Sequence, residues 1–206
     1  MHYHSHRSSG KDSQLQRVFC GSTAVIQVNS SSLLKGPEET ELNEEMEAIC
    51  VDNLTVRRLK VDELMGLTKL FDYRDVDGMF ADNTRRMENR EIEIFCLFKG
   101  ERLVGELHAM YVNEDERMAI RGVRAYLFAF RVHEDVQGKG YGKYLLNEVI
   151  DLLAEKGYRE FTVGVEDDNA RAIHIYKTFG FDELVARKQE EYQGYSYEYN
   201  LYLKRG

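Results

Sequence analysis

Residues 132–142 read Val-His-Glu-Asp-Val-Gln-Gly-Lys-Gly-Tyr-Gly and join two strongly patterned segments. The segment before them, Val123 to Val132, is apolar and typical of a strand, whereas Tyr141 to Lys156 repeats apolar residues at helical spacing. A glycine-rich turn between a strand and a helix exposes the unpaired N–H groups of the helix start, whose partial positive charge favours an anion. The stretch therefore predicts a loop that binds a phosphorylated cofactor.

Three types of phosphate-binding loop can be compared with this stretch. A P-loop needs a hydroxyl residue after Gly-Lys, but Lys143 is followed by Tyr144. A dinucleotide-binding turn needs Gly-x-Gly-x-x-Gly, which the spacing Gly138-x-Gly140-x-Gly142 does not satisfy. The third pattern, Gln/Arg-x-x-Gly-x-Gly/Ala, is matched at every position by Gln137 to Gly142.

This third pattern resembles the acyl-CoA-binding motif of the GNAT superfamily of N-acetyltransferases. A second signature of that superfamily follows in the right order. Asn169 is followed by Ala172 three residues later, by Tyr176 seven residues later, and then by Gly180-Phe181. The resemblance covers roughly Leu54 to Lys204.

The resemblance implies an α/β (α+β) fold, with a mixed, mostly antiparallel central sheet flanked by helices on both faces. Periodicity in the sequence predicts elements in the matching order. Residues 72–89 stay open between a second helix and a loop that covers the substrate. The predicted strands are Thr55–Leu59, Glu91–Phe98, Leu103–Val112, Val123–Val132, Glu160–Val165, Leu184–Glu191 and Tyr195–Leu203, and the predicted helices are Val61–Phe71, Tyr141–Lys156 and one after Asn169.

Length and composition predict an N-terminal extension, residues 1–51, followed by one acetyltransferase-like domain, residues 52–206. The extension opens on a polar, His-rich run that resembles the leader of an affinity tag. His2, His4 and His6 alternate there, but ordering a chain terminus costs entropy, so we predict no metal site.

Charge and cysteine usage limit the classes of partner and the compartment. A net charge of −8 argues against nucleic acid, which would require a basic face. No apolar run has the length of a membrane span or a signal peptide. The three cysteines lack Cys-x-x-Cys spacing and fit free thiols, so we predict a cytoplasmic protein.

The resemblance also assigns residues to the cofactor. The central strand would pair with the pantetheine arm through its backbone, and the glycine-rich loop would hold the pyrophosphate. The implied cofactor-binding residues are Phe130, Arg131, Val132, Gln137, Gly138, Lys139, Gly140, Tyr141, Gly142, Lys143, Asn169, Ala172 and Tyr176.

Two residues are candidates for the proton transfers that acetylation of an amine requires. Tyr176 matches the tyrosine with which many relatives protonate the departing sulfur, although a buried core tyrosine would show the same spacing. Some relatives use a Glu on the central strand as base, but Val123 to Val132 contains none. Glu106, on the preceding strand beside His108, is the candidate base through a water molecule, and His108 itself fits ordinary packing.

Other polar groups have two interpretations each. The run Glu166-Asp167-Asp168 suits a cationic substrate but also the positive end of a helix that follows it. Four tyrosines near the C-terminus would line the acceptor pocket, although alternate residues of a strand face opposite sides. They are Tyr192, Tyr195, Tyr197 and Tyr199.

These observations predict an N-acetyltransferase that joins the acetyl group of acetyl-CoA to the primary amine of a small molecule, by direct attack in a ternary complex. The alternatives are a protein or peptide N-acetyltransferase and a catalytically silent acyl-CoA-binding regulatory domain. The predicted partners are acetyl-CoA and an amine acceptor, without nucleic acid or membrane, and a homodimer is left open.

Overall fold

The computed structural model describes residues 53–70, 76–192 and 195–206. The predicted N-terminal extension lies outside the described residues. The described strands are β1 (Leu54–Arg58), β2 (Ile92–Lys99), β3 (Arg102–Met110), β4 (Arg124–Val132), β5 (Glu160–Glu166), β6 (Glu183–Tyr192) and β7 (Tyr195–Arg205). The α-helices are α1 (Val76–Glu88), α2 (Tyr141–Glu155) and α3 (Ala170–Thr178), and 3-10 helices span Val61–Lys69 and Glu134–Val136.

The element order agrees with the predicted one, with two refinements. The first predicted helix is of the 3-10 type, and it ends at Lys69 rather than Phe71. The segment left open at 72–89 contains helix α1 from Val76 onward.

The described strands form one sheet in the order β1-β2-β3-β4-β5-β7-β6. Neighbouring strands are antiparallel except β4 and β5, which are parallel. The parallel pair needs a long crossover, and α2 provides it. The predicted mixed, mostly antiparallel sheet is therefore confirmed.

Apolar side chains cover both faces of the sheet, as the alternation along its strands requires. Helix α2 buries Leu145, Val149 and Leu153 against one face, in a core that also contains residues of α3. The first 3-10 helix buries Leu67 and α1 buries Met79 on the other face. Because full burial of such a side chain contributes about 2 kcal/mol, these contacts hold the helices in place.

Strands β4 and β5 form a fork. They pair only from Arg124 to Leu127, opposite Glu160 to Val163, and they separate beyond that point. Ala129 has φ 50°, and the pairing of β3 with β4 shifts there, which identifies a β-bulge. Phe128 consequently packs on the α1 face while Phe130 packs on the α2 face, although both have even numbers. The bulge and the fork lie side by side in the centre of the sheet.

Candidate active site

The loop after β4 brings the N-terminus of α2 to the open end of the fork. Gly140 precedes the helix with φ 79°, a left-handed conformation that a side chain would strain. The side chain of Gln137 ties the loop to β4, because its Nε2 donates to the Val132 carbonyl oxygen at 2.9 Å. The start of α2 has no side-chain cap and no acidic residue in its first turn. Its first N–H groups are therefore directed at any anion that enters the loop.

Helix α2 starts very close to the end of β4. A Cβ atom on Gly142 would lie 3.3 Å from the Phe130 ring and 3.5 Å from the Val132 side chain. Glycine thus allows the helix N-terminus to approach the strand that would hold the cofactor arm.

A cavity of about 350 Å³ lies between the end of β4, the loop and α3. Nine of the thirteen predicted cofactor-binding residues line it, and α3 with the residue that follows it adds four that the sequence analysis did not predict. The lining residues are Phe130, Arg131, Val132, Gln137, Gly138, Gly140, Tyr141, Gly142, Lys143, Arg171, Ile175, Thr178 and Phe179.

Of the three described cationic residues that line this cavity, Lys143 and Arg171 are exposed, whereas Arg131 is buried and pairs with Glu106. The predicted Lys139 does not line the cavity, and its Nζ donates instead to the Asp135 carbonyl oxygen at 3.0 Å. The cavity therefore combines backbone N–H groups with two cationic side chains, which suits a pyrophosphate.

The predicted residues of the second signature lie at the edge of the cavity or behind it. Asn169 caps α3, since its Oδ1 accepts from the Ala172 N–H at 3.0 Å, and Ala172 is fully buried. Tyr176 lies two turns later and is only 1% exposed. Its ring contacts the rings of Phe130, at a centroid distance of 6.5 Å, and of Phe181, at 5.5 Å. Tyr176 therefore lies directly behind the cavity wall that Phe130 forms.

The Tyr176 hydroxyl is buried without a hydrogen-bond partner among the described residues. Burial also raises the pKa of this phenol above its ordinary value of 10.0, so that the group stays protonated at neutral pH. Because an unpaired buried hydroxyl costs about 1–3 kcal/mol, packing alone does not explain it. An uncharged phenol in this state can donate a proton.

Glu106 lies on the face of the sheet opposite Tyr176, beside the bulge in β4. Its side chain is fully buried and forms an ion pair with Arg131. The Nε2 atom of His108 lies 3.2 Å from Glu106 Oε2, and the His108 ring packs edge-on to Phe128 at 5.1 Å. The two residues share one face of β3, as predicted. Glu106 is thus fixed next to the fork, and His108 both packs and bonds to it.

In the run Glu166-Asp167-Asp168, both aspartates are exposed, and the carboxylate of Asp167 accepts a hydrogen bond from the Asn200 side chain. In the loop after β4, the Nδ1 atom of His133 lies 2.6 Å from Asp135 Oδ1.

Two of the predicted C-terminal tyrosines meet a carboxylate that the sequence analysis did not identify. The hydroxyls of Tyr197 and Tyr199 donate to the two oxygens of Glu190 at 2.6 and 2.7 Å. The side chains of Tyr192 and Tyr195 lie outside the described residues. The predicted strand pair indicates this contact only after the two strands are paired, because Glu190 on β6 then lies opposite Tyr197.

Among residues 53–70, 76–192 and 195–206, no helix combines the length and the apolar character needed to cross a membrane.

Comparisons with solved structures show the same fold. The spermidine/spermine N-acetyltransferase SpeG of Vibrio cholerae superimposes with a TM-score of 0.59 at 18% identity, over 75% of this chain and 94% of that chain. The putative acetyltransferase yncA of Salmonella typhimurium, solved with its cofactor acetyl-CoA, has a TM-score of 0.56 at 19% identity, over 74% of this chain and 94% of that chain.

A similarity in sequence supports the same relationship. The "[Ribosomal protein bS18]-alanine N-acetyltransferase" of Salmonella typhimurium is 34% identical over 83 residues, 37% of this chain and 56% of that protein. The chain thus spans about half the length of this curated relative. A family profile described as "Acetyltransferase (GNAT) family" matches residues 61–181, which is more than half of the 206 residues. The chain belongs to the GNAT family of acetyltransferases.

Proposed function

We propose that this protein is an N-acetyltransferase that transfers the acetyl group of acetyl-CoA to the primary amine of a small molecule. The observation that carries the proposal is the junction of the β4–β5 fork with the N-terminus of α2. There, backbone N–H groups and the cavity of about 350 Å³ lie beside a strand end that the neighbouring strand leaves unpaired. Transfer occurs by direct attack while both substrates are bound.

The loop and α3 hold the cofactor in this proposal. The N–H groups around Gly140 bind the pyrophosphate, and Lys143 and Arg171 add positive charge. The backbone of β4 from Phe130 to Val132 pairs with the pantetheine arm, since β5 leaves that edge open. Acetyl-CoA, when bound, supplies the thioester whose acetyl group is transferred.

Tyr176 supplies the proton that the leaving sulfur requires. As the amine nitrogen bonds to the acetyl carbon, the carbon–sulfur bond breaks and the sulfur takes the proton from Tyr176 Oη. The phenol carries its proton at neutral pH, and its hydroxyl has no other hydrogen-bond partner among the described residues, so the proton is available to the sulfur.

Glu106 accepts the proton that the amine loses, through a water molecule. Arg131 and His108 fix its carboxylate beside the bulge, next to the point where β4 and β5 separate. Glu106→Gln is expected to lower kcat about 100-fold and to remove the ascending limb of the pH–rate profile. Because Arg131 would lose its counter-charge, thermal unfolding must be measured alongside. A folded variant that keeps the ascending limb would exclude Glu106 as the base.

A calorimetric titration with acetyl-CoA tests the proposal first, with dephospho-CoA and NAD as controls. We expect micromolar binding of acetyl-CoA, weaker binding of dephospho-CoA and none of NAD. Release of CoA thiol is then measured against a panel of primary amines. Folded protein that does not bind acetyl-CoA would exclude the enzyme.

A second candidate acceptor is the α-amine of a protein or peptide. The curated relative from Salmonella typhimurium, whose name specifies an alanine of ribosomal protein bS18, favours it. The two candidates differ in measured kcat/KM, which would be higher for a peptide amine than for any small amine if a protein is the substrate.

A catalytically silent domain is the third candidate, favoured by the absence of a glutamate in β4. Such a domain would bind acetyl-CoA in the titration and release no thiol with any amine. Binding without turnover would therefore identify it.

A further inference from the structure

We propose that Glu190, Tyr197 and Tyr199 form the subsite that holds the positively charged amino group of the acceptor. This inference rests on the proposed function and specifies its substrate class. The class is a cationic amine without a carboxylate beside the amino group, such as an alkylamine or an α-amine whose neighbouring carboxyl is an amide.

Hydrogen bonds across the β6–β7 hairpin orient the Glu190 carboxylate. Tyr197 and Tyr199 each donate a hydroxyl to one of its oxygens, at 2.6 and 2.7 Å. The two rings lie two residues apart on β7 and are stacked, with centroids 6.1 Å apart and an interplanar angle of 29°. Tyr199 is almost fully buried, which fixes one side of the arrangement. Glu190 itself is partly exposed.

No cation among residues 53–70, 76–192 and 195–206 balances the charge of Glu190. Among the described residues its hydrogen-bond partners are the two hydroxyls, and no lysine or arginine forms an ion pair with it. Lys188, two residues earlier on the same strand, is bound to Asp115 at 2.9 Å. A carboxylate offers about four lone-pair positions, of which the hydroxyls use two. The remaining positions and the net negative charge suit an ammonium group.

This cluster borders the fork. A Cβ atom on Gly164 would lie 2.9 Å from Tyr126 Oη and 2.9 Å from the Tyr199 ring. Gly164 directly follows Val163, the last β5 residue that pairs with β4. The carboxylate of Glu190 is therefore one tyrosine ring away from the point where the two strands separate.

The fork connects this cluster with the proposed acid on the other face. Tyr126 packs in the core on the α1 face, whereas Phe130 and Tyr176 pack in the core on the α2 face. Burial is the main cause of the raised pKa of Tyr126, and Tyr199, Glu190 and Tyr176 also contribute. Tyr126 thus interacts electrostatically with Glu190 and with Tyr176. The proposed amine subsite and the proposed acid therefore lie on opposite faces of the sheet, on either side of the fork.

The negative charge of Glu190 also selects between amines. A carboxylate beside the acceptor amine would be repelled, so we expect alaninamide to exceed alanine in kcat/KM by roughly tenfold or more. Propylamine, which has no carboxylate, should behave like alaninamide.

Glu190→Gln tests the subsite, with Glu191→Gln as the matched control. Glu191 is the adjacent residue of β6, so its side chain points to the other face, and it is exposed. Binding of propylamine and of alaninamide is measured by calorimetry in the presence of CoA, and KM is measured by thiol release. We expect Glu190→Gln to weaken both amines roughly 10- to 100-fold, while the Kd of acetyl-CoA and all constants of Glu191→Gln stay unchanged.

The calorimetric binding measurements distinguish failure of this inference from failure of the proposed function. Wild-type protein that fails to bind acetyl-CoA contradicts the proposed function, irrespective of Glu190. The inference is overturned if neither amine binds the wild-type protein, or if both bind Glu190→Gln as tightly as wild type. Tyr197→Phe is the second variant, because it keeps the ring and removes one hydroxyl; it should weaken both amines severalfold.

Discussion

The two sides of the fork are built from different parts of the chain. The cofactor side uses the backbone of one continuous stretch, Gln137 to Lys143, and the start of the helix that follows it. The acceptor side uses side chains of β4, β6 and β7, which distant segments bring together at Tyr126, Glu190 and Tyr199. A site made of backbone depends on backbone conformation, whereas a site made of side chains depends on their charge and packing.

The two sides should therefore respond to different substitutions. Changes of glycine conformation should affect acetyl-CoA and spare the amine, and changes of side chain on the acceptor face should do the reverse. Tyr176 is the exception, because it acts after both substrates are bound.

The largest expected effect is that of Tyr176→Phe on turnover. Removing the proton donor should lower kcat about 100- to 1000-fold and leave the Kd of acetyl-CoA unchanged. The variant should be at least as stable as wild type, because it removes a buried hydroxyl without a partner among the described residues. Tyr158→Phe, in the same core but remote from the cavity, is the control and should keep its kcat. Equal kcat in Tyr176→Phe and wild type would show that another group protonates the sulfur.

The next effect concerns the backbone of the cofactor loop. Gly140→Val places a β-branched residue at φ 79° and should raise the Kd of acetyl-CoA about 100-fold, because the N–H groups no longer converge. Gly100 lies in the β2–β3 turn with φ 60°, and a Cβ atom there would meet nothing within 4 Å, so Gly100→Val introduces comparable strain away from the cavity. Calorimetry should find normal acetyl-CoA affinity in Gly100→Val. A folded Gly140→Val protein with normal affinity would mean that the loop does not bind the cofactor.

A smaller change on the acceptor side should have the opposite pattern. Gly164→Ala puts a methyl group 2.9 Å from Tyr126 Oη and from the buried Tyr199 ring, so those side chains must shift. We expect the KM for propylamine to rise about tenfold while the Kd of acetyl-CoA changes less than twofold. Gly66→Ala, where a Cβ meets nothing within 4 Å, is the control. A rise in the Kd of acetyl-CoA instead of the KM for the amine would break the division between the two sides.

The difference between the two sides also explains what the sequence could predict. The cofactor loop is local and needs glycine, so Gln137 to Gly142 leave a pattern that can be recognised without a structure. The α3 residues Arg171 and Ile175 also line the cavity, but which side of a short helix faces a cavity depends on how the helix packs. The resemblance implies that Asn169 binds the cofactor, and the structure shows it as the cap of α3.

The acceptor side has no motif within one continuous segment of the sequence. Glu190 gains its role from the pairing of β6 with β7, which places it opposite Tyr197. The bulge at Ala129 depends on a positive φ at a residue that is not glycine, and such a conformation leaves no trace in composition. Periodicity predicted the strands correctly, since it follows from burial of one or both faces, but it does not predict where two strands separate.

The smallest expected effect is on stability, at the ion pair that supports the acceptor side. Asp115 binds Arg117 at 2.9 Å and Lys188 at 2.9 Å, and Lys188 lies on β6 two residues before Glu190. The Asp115 side chain is only 20% exposed. Hydrogen bonds from Arg117 and then from Lys188 hold the pKa of Asp115 well below its ordinary 3.8. A carboxyl with a lowered folded-state pKa stabilises the fold fully above its unfolded pKa, and that stability is lost progressively as the pH falls from there through the folded-state pKa.

Asp115→Asn should therefore lower the free energy of unfolding by about 1 kcal/mol at pH 7 and by less at pH 3, where part of the charge contribution has been lost. Urea denaturation at the two pH values measures this difference. Asp82→Asn is the control, because Asp82 pairs with Arg85 while 52% exposed, and solvent screens that interaction. A loss of stability in Asp115→Asn that is the same at both pH values would mean that packing of the side chain, and not its charge, ties the loop before β4 to β6. If the charge acts as expected, Asp115→Asn should also raise the KM for propylamine slightly without changing the Kd of acetyl-CoA, since Lys188 would be released beside Glu190 and would compete for its carboxylate.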